Sequence, residues 1–361
     1  HLRHRQHTLQ EDIDEKMVNP DTFDTLPLLS DRVDTELKMT LENRSMPLYE
    51  MMRYHLGWVD SGNGTPIDRI HGVACLTASQ NSNGDINMTL PAAAAIELVD
   101  NFAQIHDDIQ AGNMTRNGRD AVWWVWGPAQ AINAGDGMHA LARLAMFRLR
   151  DSGVSVEITF QALRFLDDAA LAMCEGRFQD LEAQESINTN VEDYLSMAAL
   201  KKGALLACAC KLGALIAGGG EDVIDAFNSF GTKLGIAIQI EDDIRQVWGS
   251  DSDATAPHNE VLNKKKLLPI VYSIQTAKVR EKRRLGEIFM KRVLEPTDVT
   301  TVRSILDDLG ARRYSETLAE DYRSEAVNDL TGLSIIPQND QSIITLTTIL
   351  TKQMPLSKVN Y

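Results

Sequence analysis

The run AAAAIELVDNFAQI (92–105) passes without a break into HDDIQAGNMTRNGR (106–119). A buried helix that ends this way carries two adjacent carboxylates, Asp107 and Asp108, at its C-terminal end, with Arg116 and Arg119 just beyond. The pattern recurs at LGIAIQIEDDI (234–244), which closes on Asp242 and Asp243 and is followed by a loop and then by Lys264, Lys265 and Lys266. Adjacent aspartates also occur at Asp167/Asp168 and Asp307/Asp308, but FLDDAALAM and ILDDLGARR are ordinary amphipathic helices, and those pairs read as solvated surface.

Helical spacing dominates outward from these stretches, as in Leu163, Leu166, Ala170 and Met173, while alternating strand-like runs are scarce. Breakers fall between the periodic segments: SGNGTP (61–66), NSNGD (81–85), GGG (218–220) and GSDSDATAP (249–257). No fixed-period repeat is present, so an all-α fold, a single large helical bundle, is the economical reading. Residues 1–45 are polar, with breakers at Pro20 and Pro27, and read as an N-terminal extension or first short helix; 46–361 read as the helical domain.

With 36 basic against 51 acidic side chains the chain carries a net charge of −15, which argues against nucleic-acid binding, where counterions must be displaced by a positive surface. Four cysteines, Cys75, Cys174, Cys208 and Cys210, are too few for a disulfide scaffold and form no zinc-type pair; a reduced, cytoplasmic setting fits them. His1 to His7 are polar and basic with no apolar core following, unlike a signal peptide. GALLACACKLGALIAGGG (203–220) is long enough to cross a bilayer. Lys211 near its middle, at about 2.5–3.5 kcal/mol on insertion scales, and its Gly and Ala content make it a buried helix instead, with no membrane span.

Two helices that each deliver carboxylates at the end of a buried segment, each trailed by cations, are suited to holding hard divalent cations that bridge to a polyphosphate. Mg2+ prefers oxygen ligands and often binds through one or two carboxylates plus substrate phosphates. Arg and Lys take the remaining phosphate oxygens, which lets an acidic protein bind an anion. The apolar walls behind such a site take a greasy tail. His106 is a buried structural histidine in this reading, since hard sites favour oxygen.

IELVDNFAQIHDDIQAGNMTRNGR (96–119), LKKGALLACACKLGALIAG (200–218) and GIAIQIEDDIRQVWG (235–249), in this order along the chain, resemble the trans-isoprenyl diphosphate synthases, the polyprenyl synthetase family, across roughly residues 46–330. The resemblance implies the isoprenoid (terpenoid) synthase fold, all-α with a central cavity flanked by two aspartate-rich motifs, in a homodimer. It implies that Mg2+, two or three ions, grips an allylic prenyl diphosphate and draws off pyrophosphate, and that isopentenyl diphosphate then attacks the allylic cation. Carried over residue by residue, Asp107 and Asp108 begin the first motif and Asp242 and Asp243 the second, with Asp107, Asp108 and Asp242 as metal ligands. Lys201 and Lys266 match lysines that hold the allylic diphosphate, and Arg116 the first of a pair of arginines. Gln239 matches the glutamine before the second motif. Lys202 stands where threonine is usual, an extra cation within reach of phosphate. Phe102 and Ala103 match floor residues of the tail pocket, and the aromatic at 102 points to products of about C15 to C20.

The sequence departs from the pattern in both motifs and, further, on the acceptor side. In the first motif the fifth position is Ala111 rather than a carboxylate, and Asn113 stands where an aspartate often follows. In the second, Gln246 closes the motif, leaving Asp251 or Asp253 to contribute from the loop. The larger changes fall on the isopentenyl diphosphate side, where IDRIHG (67–72) aligns with GKRxRP. Asp68 replaces the lysine, His71 the second arginine and Gly72 the proline; Arg69 alone survives, and the second arginine of the later pair is Asn117. A diphosphate carries about three negative charges, so an aspartate in place of a lysine costs on the order of several kcal/mol at an effective dielectric near 20.

The diphosphate-ionising half is thus largely kept and the acceptor half largely dismantled. Three readings follow from the resemblance: a prenyl diphosphate synthase, a class I terpene synthase (a lyase) acting on one allylic diphosphate, and a non-catalytic subunit of a heteromeric synthase. A fourth, an HD-type phosphohydrolase built on His71, His106 and Asp107, leaves Asp242, Asp243 and Lys201 without a role.

Overall fold

Small residues bring the central helices together. The computed structural model describes residues 25–59, 67–186, 188–249, 254, 259–332, 335–336 and 340–358. At the centre lie α3 (Ile70–Asn81), α4 (Ile86–Ala111), α9 (Ala204–Ile216) and α10 (Glu221–Trp248). Ala92 to Ala95 on α4 are fully buried. Gly213 on α9 lies so close to α3 that a Cβ there would sit 2.1 Å from the Cys75 carbonyl oxygen, so no side chain fits. The stretch 203–220 is therefore a core helix: every residue from Leu205 to Cys210 is buried, and Lys211 lays its ammonium 4.1 Å from the centre of the Phe165 ring. Among the described residues no helix is long and apolar enough to cross a membrane.

Around this centre run α1 (Leu26–Thr40), α2 (Pro47–His55), α5 (Val122–Trp126), α6 (Pro128–Phe147), α7 (Val156–Glu185), α8 (Val191–Ala198), α11 (Leu268–Thr276), α12 (Val279–Phe289), α13 (Pro296–Asp308), α14 (Ala311–Thr331) and α15 (Gln341–Lys352). A two-stranded antiparallel hairpin, β1 (Thr115–Arg116) and β2 (Arg119–Asp120), is the only sheet among the described residues. The fold is all-α, as the periodicity predicts. The division at residue 45 is redrawn: α1 buries Leu26, Leu29, Val33 and Leu37 in the main core, so 26–40 is part of the bundle, and 1–24 lie outside the described residues. Asp251 and Asp253 also lie outside them.

Candidate active site

Helix α4 is stopped where the carboxylates are needed. Gly112 takes a left-handed conformation (φ 68°) and the Asn113 N–H returns to the Asp108 carbonyl, a Schellman-type end that turns the chain back. Asn117 and Gly118, both at positive φ, then make the tight hairpin turn between β1 and β2. The hairpin swings Arg116 onto Asp108, whose two oxygens accept Nε at 2.8 Å and Nη2 at 2.7 Å. Asp108 is only 2% exposed. Burial pushes its carboxyl up, while the Arg116 fork pulls the other way. Asp108, expected from the sequence to be a metal ligand, here faces the protein and holds Arg116, and of the first pair Asp107 is the one that lines the cavity.

Lys201 and Lys202 sit on a π-helical segment, Ala199–Gly203, between α8 and α9. Such one-turn bulges concentrate at functional sites. Its neighbours close in because they too lack side chains: a Cβ on Gly176 would meet the Lys201 nitrogen at 2.6 Å, and one on Gly235 would meet the Gly203 Cα at 2.4 Å. Beneath the segment lies Asp180, on α7 and 4% exposed, which accepts Lys201 Nζ at 2.7 Å and Arg177 Nη1 at 3.0 Å. Despite its burial, Lys201 and Lys265 hold its carboxyl down to about 2. Lys201 is itself lowered, by burial first and by Lys265 next. Arg177 also reaches Asp107, 3.2 Å away.

On α10 both members of the second pair reach the cavity, but they are held differently. Asp243 is buried and accepts three donors: Tyr194 Oη at 2.6 Å, the Leu268 N–H at 2.8 Å and Gln239 Nε2 at 2.9 Å. Burial nonetheless pushes its carboxyl up to about 6. Asp243 thus ties α8, α10 and α11 together at the cavity wall, and Asp242 beside it has Lys202 Nζ 3.7 Å from Oδ2 and Arg245 on Oδ1. Of the lysine run, Lys266 is not the one at the cavity: its ammonium donates to the Gln184 carbonyl at 3.2 Å and lies over Phe289. Lys264 takes a left-handed conformation (φ 58°), which turns Lys265 inward instead, 3.0 Å from Glu260. Burial pulls the Lys265 ammonium down, but Glu260 and Asp180 more than offset this and leave it raised.

The outcome is one charged cavity of about 310 Å³ reached by both aspartate-bearing helices. Six cationic side chains line it against four carboxylates, so the pocket attracts anions within a chain of net charge −15. Gln239, Gln246, Ala111 and Asn113 also line it. Adjoining it is a second cavity of about 280 Å³, walled by Phe102, Ala103, Met173, Phe178 and Leu181 among others. The two share Asp107, Arg177 and Lys201.

Arg69 differs from the expectation of a substrate contact. It is 2% exposed, gives Nε and Nη2 to Asp34 Oδ1 at 2.9 and 2.7 Å, and ties α1 to the end of α2 through the Leu56 carbonyl. Neither it nor Asp68 or His71 lines the charged cavity. His71 points Nδ1 at Asp100, 3.5 Å away. Residues that the sequence reading passes over are Arg177, Asp180, Tyr194, Lys265 and Gln353. Only Lys265 had a local signal, its place in the lysine run; the others are single polar residues on helices or at a helix end, united only by packing.

The donor set suits magnesium that arrives with a diphosphate. Asp107 and Asp242 offer oxygen, the donor Mg2+ takes, while among the described residues no three His, Cys, Asp or Glu side chains are grouped to hold an ion unaided. The facing cations would take the remaining phosphate oxygens.

A family model described as polyprenyl synthetase matches residues 68–309. A geranylgeranyl diphosphate synthase of Mycobacterium tuberculosis is 36% identical over 245 residues, 66% of this chain and 69% of that one. A geranylfarnesyl diphosphate synthase of Aeropyrum pernix is 33% identical over 258 residues, 71% and 80% of the two chains. Among solved structures, a polyprenyl synthetase from Streptomyces coelicolor A3(2) superposes with a TM-score of 0.79 at 27% identity, covering 90% of this chain and 99% of that one.

Proposed function

The chain belongs to the polyprenyl synthetase family, and from that premise we propose that it is a Mg2+-dependent prenyltransferase that ionises an allylic prenyl diphosphate and joins its prenyl group to isopentenyl diphosphate, giving products of about C15 to C20. One observation carries this reading. A charged cavity and an apolar one meet at Asp107, Arg177 and Lys201, which matches a molecule with a diphosphate head and a hydrocarbon tail. The relatives' names, geranylgeranyl and geranylfarnesyl diphosphate synthase, fall in the same substrate class.

In this mechanism Lys201, Lys202, Lys265 and Arg177 hold the diphosphate oxygens and neutralise the charge that gathers on them as the carbon–oxygen bond breaks. Preorganised cations in a partly desolvated site stabilise such a leaving group more than water does. Asp107 and Asp242 are the carboxylates that would hold magnesium, whose chemistry when bound is to withdraw charge from the diphosphate. Asp180 and Asp108 keep Lys201 and Arg116 in place from behind. Phe102, Met173, Phe178 and Leu181 exclude water from the allylic cation. The acceptor's double bond is the nucleophile and the proton lost after it attacks goes to the released pyrophosphate, so no side chain needs to act as nucleophile or base.

Homodimer formation belongs to the same proposal, supported by large apolar side chains left exposed on α6 and α7, among them Leu144, Phe147, Phe160 and Leu171. A cytoplasmic setting is supported by Cys75, Cys174, Cys208 and Cys210 all being free thiols.

A second reading, a terpene synthase acting on the allylic diphosphate alone, is favoured by the acceptor side, where Arg69 is committed to Asp34 and Asp68, in place of a lysine, to the Leu356 N–H. The test supplies Mg2+ with geranyl, farnesyl or geranylgeranyl diphosphate, with and without labelled isopentenyl diphosphate, and measures pyrophosphate and organic products. Elongated labelled diphosphates are the expected result. Pyrophosphate with a hydrocarbon or alcohol, independent of the second substrate, replaces the proposal by the lyase. No turnover with any of these leaves a non-catalytic subunit.

A further inference from the structure

The C-terminal segment enters the charged cavity and occupies one of its two candidate metal carboxylates. Gln353, the residue that ends α15, holds a left-handed conformation (φ 49°) and donates Nε2 to Asp242 Oδ1 at 2.7 Å. Arg245 bridges the same oxygen and the Thr351 carbonyl, 3.3 Å away. Three residues past Gln353 the chain is fixed again. Leu356 is 2% exposed, and its N–H donates to Asp68 Oδ2 at 2.7 Å. Pro355 lies between, its φ held near −65° by the ring. Asp68 is the residue that stands where the resemblance calls for a lysine.

A metal ion and an N–H donor compete for the same carboxylate lone pairs. Arg245 lies on the same helix at i+3 and cannot move far from Asp242, whereas Gln353 reaches it from a strap 111 residues away in sequence. The side chain that yields is therefore Gln353. Its hold depends on the strap being fixed at both ends, by α15 and by the Leu356–Asp68 bond.

We propose that Gln353 is a gatekeeping residue of the site, which caps Asp242 until a magnesium-bound diphosphate displaces it, and that Asp68 is the positioning residue that pins the strap carrying it. The inference rests on the reading of Asp242 as a metal carboxylate. It gives the Lys-to-Asp departure a function: the carboxylate at 68 is an anchor for the chain's own backbone.

Calorimetry of the full chain with Mg2+ and inorganic pyrophosphate tests this without reference to turnover. Gln353→Ala removes the competitor and is expected to bind on the order of three- to tenfold more tightly. Asp68→Ala unpins the strap and is expected to tighten binding in the same direction, while Asp68→Asn, which keeps an oxygen acceptor for the Leu356 N–H, restores wild-type affinity. Because Asp68 acts through Gln353, the double variant Gln353→Ala, Asp68→Ala is expected to match Gln353→Ala alone. Weaker binding by Gln353→Ala would make Gln353 a phosphate ligand and overturn the proposal. Additive tightening, or Asp68→Asn behaving as Asp68→Ala, would reduce Asp68 to a repelling charge and overturn it as well. If the wild-type chain binds no magnesium pyrophosphate, the metal reading of Asp242 falls first and the gate with it; if it binds and the variants are unchanged, the gate alone falls.

Discussion

Replacing Asp180 by Asn keeps the shape of the side chain and removes the charge on which the cationic wall rests. Asp180 accepts Lys201 Nζ and Arg177 Nη1 at 2.7 and 3.0 Å, and its carboxyl lies at about 2 in the fold against an ordinary value of 3.8. At about 1.4 kcal/mol per pH unit that difference amounts to about 2 kcal/mol of folding free energy. The lost contact is nearly buried on both sides, and stranding the cations adds to the cost, so about 2–4 kcal/mol is expected at pH 7. In a chain of this size that lowers the melting temperature by several degrees. The sign with pH follows from the depressed carboxyl. Its stabilisation is fully present above about pH 4 and is lost as the pH falls towards 2. The gap between wild type and Asp180→Asn in urea unfolding is therefore expected to be constant from about pH 5 to 8 and to close in acid. Inorganic pyrophosphate supplies an anion to the same cations, so it is expected to raise the melting temperature of the variant more than that of the wild type. Equal midpoints at pH 7, or a gap that stays open in acid, would refute the role given to Asp180.

Two further substitutions separate neighbours that the sequence alone confuses. Lys265→Ala is expected to raise the KM for an allylic diphosphate on the order of tenfold or more through a lost charge-assisted contact, whereas Lys266→Ala, which loses only its bonds to Gln184 and Phe289, leaves KM nearly unchanged; steady-state kinetics of the pair decides it. Tyr194→Phe removes one of three donors to Asp243, whose carboxyl burial already pushes up to about 6. A carboxyl raised in the fold favours stability at low pH and costs it as the pH rises through the folded value. The variant is accordingly expected to lose more stability at about pH 8 than at about pH 5, and denaturant midpoints across that range show whether it does.

The parts of the site that were legible in the sequence are those where neighbouring residues act together. A buried run ending in two aspartates, followed by cations, is a local pattern, and it placed α4, α10 and the charged cavity. What it could not do was tell the two aspartates of a pair apart. Adjacent residues on a helix point about 100° apart, so one member of each pair is tied into the protein, and which one depends on Arg116 and Tyr194, fixed by other elements; Asp243 is tied in this way and still borders the cavity, whereas Asp108 does not. The lysine run shows the same limit, because the left-handed turn at Lys264 decides that Lys265 enters. Asp180 was invisible for a different reason: a single acidic residue on a long amphipathic helix has no pattern, and its meaning comes from Gly176 admitting the π-helical segment against it. Helix α1 reads from sequence as an extension or first short helix because its apolar residues are interleaved with charges, although Leu29, Val33 and Leu37 make a complete buried face at i, i+4 and i+8.

The departures from the family pattern at 68, 71, 72 and 117 look like losses when each residue is compared with that pattern, yet each is accommodated by the packing or backbone around it. Proline in place of Gly72 would lack the N–H that donates to Glu97 Oε1 at 2.7 Å, and any Cβ there would come within 2.7 Å of Val33 on α1. Arginine in place of Asn117 would have to adopt the left-handed conformation of the hairpin turn that carries Arg116 to Asp108, which asparagine tolerates better. His71 sets its ring against Asp100, which in turn holds Gln104 at 2.6 Å beneath Arg116. Asp68 takes the backbone of the C-terminal strap. Together the contacts of Asp68, His71 and Gly72 join α1, α3, α4 and the strap into one packed unit. If the proposed acceptor diphosphate binds here, Asp68 and Arg69, held by the Leu356 N–H and by Asp34, leave its recognition to other groups, and Lys202 at the cavity beside Asp242 is a candidate.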